Sequence, residues 1–169
     1  MIEIREALPD DALGITIVNV YTWKTTYAGL MPDELIDARI GRIAEIAARR
    51  REEIEAGRGF LVAETEHAIV GFCMYGKSGN EDYPDAGEIY GLYVLKGFQG
   101  AGAGKRLFRE ARQRLAAQGR PTLIVNCLAG NPARGFYESM GGVVAGQRQD
   151  RMGEHAILED ILYFANPTA

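Results

Sequence analysis

The chain has 169 residues, of which 47% are apolar and 25% charged, with 21 glycines and a formal net charge of −4. This is one domain's worth of chain with enough apolar content to exclude extended disorder, and its net negative charge argues against a nucleic-acid partner, whose binders carry a basic footprint. No apolar run approaches the ~20 residues of a membrane helix, and the early acids of MIEIREALPDD are unlike a secretory signal, so a cytoplasmic protein without a membrane partner is expected.

In chain order, residues 2–6 (IEIRE) alternate apolar and polar, which predicts a strand. Pro9-Asp10-Asp11 opens a helix whose Leu13, Ile17 and Val20 recur at helical spacing, the two acids suiting the positive end of the helix dipole. Met31-Pro32-Asp33 starts a second helix, and residues 42–56 form a third with a charged face, ended by Gly57 and Gly59. Residues 60–65 and 68–76 predict a hairpin turning at Glu66 and His67, followed by an acidic loop containing Glu81, Asp82 and Asp85. Residues 88–95 make a further strand, 103–118 a helix with Leu107, Phe108, Ala111 and Leu115 on one face, and 122–127 a buried strand. Asn131-Pro132 is a helix start, an N-cap residue followed by proline at the first helical position, and the helix runs to Gly141-Gly142. Residues 143–148 and 155–164 close the chain as strands. The order β-α-α-α-β-β-β-α-β-α-β-β is α/β with a mixed sheet. No repeat or linker interrupts it, so a single domain over 1–169 is expected.

The cysteines, Cys73 and Cys127, lie in separate apolar runs without CxxC spacing and read as two reduced core thiols. With only His67 and His155 as imidazoles, one in a turn and one far downstream, no metal site is expected.

The glycines are concentrated. Gly97, Gly100, Gly102 and Gly104 fall between a strand and a helix, where glycine lets backbone N–H groups approach an anion at a helix N-terminus. A Walker P-loop fits poorly: Gln99 stands where the first glycine should be, and Arg106 replaces the Ser/Thr that would meet magnesium. A dinucleotide fingerprint fits Gly100-x-Gly102 but then meets Lys105 in place of its third glycine. Gln99-x-x-Gly102-x-Gly104, directly after an apolar strand, resembles the acyl-CoA pyrophosphate loop of the GNAT N-acetyltransferase superfamily. A second segment agrees with it. Asn131-Pro132-Ala133-Arg134-Gly135-Phe136-Tyr137-Glu138-Ser139-Met140-Gly141-Gly142 resembles that superfamily's N-x-x-A-R-x-F-Y-E-x-x-G-F, with Asn-Pro compressed onto Ala-Arg and with Gly142 in place of the final Phe.

The resemblance implies a mixed, mostly antiparallel sheet of six to seven strands flanked by helices, with a splayed central strand pair. It implies acetyl-CoA as co-substrate. The backbone of Gly100, Gly102, Ala103, Gly104 and Lys105 would hold the pyrophosphate, with Gln99 and the Lys105 side chain beside it. Leu92, Tyr93 and Val94 would offer backbone groups to the pantetheine and the acetyl carbonyl, and Asn131 and Arg134 would complete the cofactor side. A basic stripe of Lys105, Arg106, Arg109, Arg112, Arg114 and Arg120 suits phosphates.

Tyr137 matches the tyrosine that protonates the CoA thiolate; a phenol near pKa ~10 is protonated at neutral pH and can donate. Glu88, six residues before Val94, stands where histone-acetylating relatives carry a glutamate base. An alkylamine near pKa ~10.4 must lose a proton before it attacks, and a carboxylate does this only if burial or a water relay assists it. Residues 23–32 resemble a segment of bacterial members with small-molecule or peptide acceptors. There Trp23 and Tyr27, at i and i+4, would wall the acceptor pocket. The acidic loop beside Glu88 would favour a cationic amine. The expected protein is therefore an acetyl-CoA-dependent N-acetyltransferase acting on a primary amine in a ternary complex, with homodimerisation a family-level expectation. The rival expectation is a non-catalytic acyl-CoA-binding regulatory or interaction module.

Overall fold

The computed structural model describes residues 1–167. Its elements are β1 (Glu3–Glu6), α1 (Ala12–Thr26), α2 (Asp33–Ile40), α3 (Ile43–Glu55), β2 (Gly59–Glu64), β3 (Ile69–Lys77), β4 (Gly87–Val94), α4 (Ala103–Ala117), β5 (Leu123–Leu128), α5 (Ala133–Ser139), β6 (Val143–Met152) and β7 (His155–Phe164). Single 3-10 turns at Pro9–Asp11 and Lys96–Phe98 precede α1 and follow β4. Among the described residues, no helix is long and apolar enough to cross a membrane.

The strands form one seven-stranded sheet in the order β1-β2-β3-β4-β5-β7-β6. Pairing is antiparallel for β1–β2, β2–β3, β5–β7 and β6–β7, and parallel for β4–β5 near the middle. This is the mixed, mostly antiparallel architecture expected from the resemblance. The β4–β5 ladder covers only Gly87–Ile89 against Leu123–Val125, although β4 continues to Val94. Among the described residues, the remaining length of β4 has no ladder pairing with β5.

Two element readings are corrected. The buried side of α1 is Ala12, Ile15, Thr16, Val18, Asn19, Val20, Thr22 and Trp23, whereas Leu13 and Ile17 are exposed. The predicted stripe failed because α1 buries polar side chains, and Thr16 and Thr22 satisfy their hydroxyls on the carbonyls of Ala12 and Val18. β6 extends past 148 to Met152, pairing through Arg151↔Ala156 and Met152↔His155. It is the outermost strand, so its mostly exposed second half carries the polar residues that hid it from a hydrophobicity pattern.

The described residues fall into two compact units. The first comprises Met1–Tyr75 and Gly91–Ala111; the second comprises Gly76–Tyr90 and the chain from Arg112 onward. In the first, Ile15, Val18, Phe60, Val62 and Phe72 build a core to which Ile54, Ile69 and Tyr93 are packed. In the second, Leu123, Ile124, Val125, Leu162 and Phe164 are the buried interior.

Gly142 belongs to that interior. A Cβ there would lie 2.7 Å from the Phe164 ring and 3.0 Å from the Tyr137 carbonyl oxygen. Phe164 thus fills space beside the position where the family segment places its own Phe. Overpacking predicts that Gly142→Ala costs about 1–3 kcal/mol in urea denaturation, recovered in part by Phe164→Leu, whereas an unchanged midpoint contradicts this packing.

Candidate active site

In the first unit, β4 ends at Val94 and the Lys96–Phe98 turn leads into the glycine segment. Gly100 has φ +83° and Gly102 φ +85°, conformations that L side chains rarely adopt, and no atom lies within 4 Å of a Cβ built at either. Glycine is therefore required here by backbone conformation, and the space above it is open. Ala103, buried, anchors the start of α4, while Gly104 and Lys105 lie in its first turn, where free N–H groups and the helix dipole attract an anion. Lys105 is exposed and makes no ion pair among the described residues. Gln99 Nε2 donates to the Val94 carbonyl at 2.9 Å, tying the loop back to the strand end.

The predicted face of α4 is borne out, since Leu107, Phe108, Ala111 and Leu115 are all buried. The basic stripe divides. Arg106 donates to the Ile2 carbonyl at 2.7 Å, Arg120 to those of Pro84 and Ala86 at 3.3 and 3.2 Å, and Arg112 to that of Ala165 while lying over the Phe164 ring. These three arginines staple the chain. Lys105 and Arg109 remain the outward charges of the stripe with no partner among the described residues.

Also in the first unit, Trp23 and Tyr27 do share a helix face: their rings meet edge-on at 5.1 Å, and both are buried. The Tyr27 hydroxyl lies 3.2 Å from that of Tyr93, whose ring packs on Phe72. The structure therefore joins Trp23 and Tyr27 to Tyr93 of the segment Leu92, Tyr93 and Val94, of which Leu92 and Tyr93 are half-buried and Val94 buried. Sequence reasoning missed Arg39 of α2, whose guanidinium carbon lies 4.1 Å from the Trp23 ring centre and whose Nη2 donates to Asn19 Oδ1. Nothing local in DELIDARI marks it.

In the second unit, Glu88 is buried, with its Oε1 accepting the Gly79 N–H at 3.3 Å. Burial pushes its carboxyl above the ordinary range and nearby Glu159 adds to this, against the Gly79 N–H and the charge of Arg148. Glu159 is itself raised, by burial first, although Arg148 donates to it at 3.2 Å. Glu81, Asp82 and Asp85 are exposed on the loop before β4.

Tyr137 is buried in α5, its ring edge-on to Phe136 at 5.3 Å. α5 begins at Ala133 with Pro132 at its cap, one residue later than the sequence predicts, and Asn131 Oδ1 accepts the Ala133 N–H at 2.9 Å from just outside the helix. Arg134 is ion-paired with Glu138 at 2.6 Å and with buried Asp160 at 3.3 Å, so its charge is already matched. Through Asp160, α5 is held to one face of β7, and Asp160 pairs in register with Cys127. Glu88 is in register with Ile124 and so lies on the other face. The unit thus presents the two catalytic candidates from opposite sides of its sheet.

Comparison with known proteins bears on the family and the fold. A family model described as an acetyltransferase (GNAT) domain matches residues 56–141, a stretch that takes in residues of both units. The uncharacterized N-acetyltransferase YuaI of Bacillus subtilis (strain 168) is 29% identical over 140 residues, spanning 82% of this chain and 79% of that one. The PaiA N-acetyltransferase of Thermoplasma acidophilum, solved in complex with coenzyme A, superposes with a TM-score of 0.76 at 21% identity over 97% of this chain and 98% of its own. YncA of Salmonella typhimurium, solved with its cofactor acetyl-CoA, gives 0.67 at 18% identity over 97% and 93%.

Proposed function

The chain belongs to the GNAT acetyltransferase family, and on that premise we propose that it moves an acetyl group from acetyl-CoA to a primary amine by direct attack in a ternary complex. The observation that carries the reading is the left-handed pair Gly100 and Gly102 opening α4 directly after β4, within the stretch the family model matches. PaiA and YncA, whose folds this chain shares, were solved with coenzyme A and acetyl-CoA.

In this reading the loop amides and the first turn of α4 hold the pyrophosphate, with Lys105 beside it. Gln99 sets the loop through Val94 and stands beside the pyrophosphate. The length of β4 at Leu92–Val94, beyond its ladder with β5, takes the pantetheine, and one of its N–H groups steadies the charge that grows on the carbonyl oxygen as the amine nitrogen attacks. The new C–N bond forms and the C–S bond breaks. The Tyr137 hydroxyl gives its proton to the departing thiolate, and the amine proton passes to the Glu88 carboxylate, directly or through water. Asn131 and Arg134 act on the cofactor side by shaping the start of α5. Trp23 and Tyr27 wall the acceptor.

The cysteines support direct attack over an acyl-enzyme. Burial pushes the Cys73 thiol far up and, with Asp160 and Glu159, pushes Cys127 up to about 11, so neither offers a thiolate at neutral pH. The kinetic test varies both substrates. Intersecting initial-rate lines are expected, while parallel lines with an acetylated protein in the mass spectrum would replace the ternary complex by a covalent route.

Glu88 carries a prediction of its own. A carboxyl raised in the folded chain contributes stability that is full below its unfolded pKa and is lost as pH rises through the folded value. At pH 8, Glu88→Gln should therefore raise Tm, by about 2–4 °C, and lower kcat about ten-fold or more. An unchanged rate assigns the amine proton to water alone.

A further inference from the structure

Resting on the acetyl-transfer reading, we propose that the acceptor amine bears a carboxylate, received by Arg39 and the indole N–H of Trp23. Arg39 is half-buried in α2, stacked on Trp23, with Asn19 Oδ1 as its one hydrogen-bond acceptor among the described residues. No carboxylate pairs with it there. On α3, Glu45 is taken by Arg42 at 2.6 Å, and Glu53 by Arg50 at 2.9 Å and Arg49 at 3.7 Å, and none of Asp33, Glu34 and Asp37 on its own helix makes an ion pair with Arg39 among the described residues. Arg42, Arg49 and Arg50 all act on Arg39 as like charges; burial, the largest effect, and these cations outweigh the favourable influence of Tyr93 and hold its guanidinium below its ordinary range. A positive charge kept partly out of water without a counter-charge is costly unless something supplies one.

Two buried donors point the same way. Arg39 Nε and Trp23 Nε1 have no hydrogen-bond partner among the described residues, and Trp23 is 7% exposed. Both lack an acceptor, so a cationic ligand leaves them unmatched, while a carboxylate oxygen satisfies a guanidinium and an indole N–H alike. Trp23 meets Tyr27 edge-on, and the Tyr27 hydroxyl lies 3.2 Å from that of Tyr93, a residue of the β4 segment proposed to hold the acetyl carbonyl. Arg39 is thus linked through Trp23 and Tyr27 to the β4 segment, which fits an acceptor that carries its carboxylate on the same small molecule as the amine, such as an amino acid. The cationic acceptor suggested by Glu81, Asp82 and Asp85 rests only on exposed loop acids.

Trp23 is the chain's one tryptophan, so its fluorescence reports on this site. The full chain is titrated with phenylalanine and phenethylamine, with methionine and 3-(methylsulfanyl)propylamine, and with spermidine. Saturable changes with the carboxylated members alone are expected. Arg39→Gln, which keeps an N–H for Asn19 Oδ1, should weaken them about ten-fold or more. With acetyl-CoA present, the same variant and Trp23→Phe should raise KM for the carboxylated acceptor and leave KM for acetyl-CoA unchanged. Equal or stronger responses to the decarboxylated amines or spermidine, no response to any probe, or an Arg39→Gln titration matching wild type overturns the proposal. Arg39-dependent carboxylate binding without acetyl transfer to any amine upholds the anion site and overturns the acetyl-transfer reading instead.

Discussion

Gly102→Val is expected to abolish measurable coenzyme A binding, a loss of about 100-fold or more in affinity by calorimetry. At φ +85° an ordinary side chain costs about 1–2 kcal/mol, and a β-branched one more, so the peptide at this position rotates and carries its N–H away from the pyrophosphate. Because no atom lies within 4 Å of the Cβ position, the effect does not come from an internal clash. Gly119, with φ +83° beyond the end of α4 and equally open surroundings, is the matched control. Gly119→Val should lose similar stability and keep its coenzyme A affinity. Wild-type affinity in Gly102→Val removes the phosphate role from the loop.

Tyr137→Phe should lower kcat by about 10²–10⁴-fold while leaving the Kd of coenzyme A within error, measured by stopped-flow turnover beside calorimetry. The ring is buried and edge-on to Phe136, and phenylalanine keeps that packing while removing the proton that the thiolate needs. Loss of binding in step with turnover assigns Tyr137 to structure, and unchanged turnover assigns the proton to solvent.

The glycine loop and the start of α5 were legible in the sequence because both are local: turn and cap chemistry is written in adjacent residues. The strands were legible where one face is buried, and β6 faded where it becomes an exposed edge. The stripe on α4 showed the chemistry of its arginines but not their partners, since the carbonyls of Ile2, Pro84, Ala86 and Ala165 come from distant parts of the chain. Arg39 was illegible for the same reason. Among Asp33, Glu34 and Asp37 it looks like one charge on a solvated helix, and its isolation emerges only when it is seen stacked on Trp23 and when the acids of α3 are seen paired with Arg42, Arg49 and Arg50. Burial of Glu88 likewise depends on the fold, as neither the Gly79 N–H nor Glu159 is close to it in sequence.

Acetyl transfer itself is tested most directly by following coenzyme A thiol release from acetyl-CoA with and without each amine of a panel, and by identifying the product by mass spectrometry. Amine-dependent thiol release matched mole for mole by the N-acetylated amine is the predicted result. Tight coenzyme A binding with no amine-dependent release across amino acids, polyamines and peptide N-termini would contradict it, and would leave an acyl-CoA-binding module without turnover.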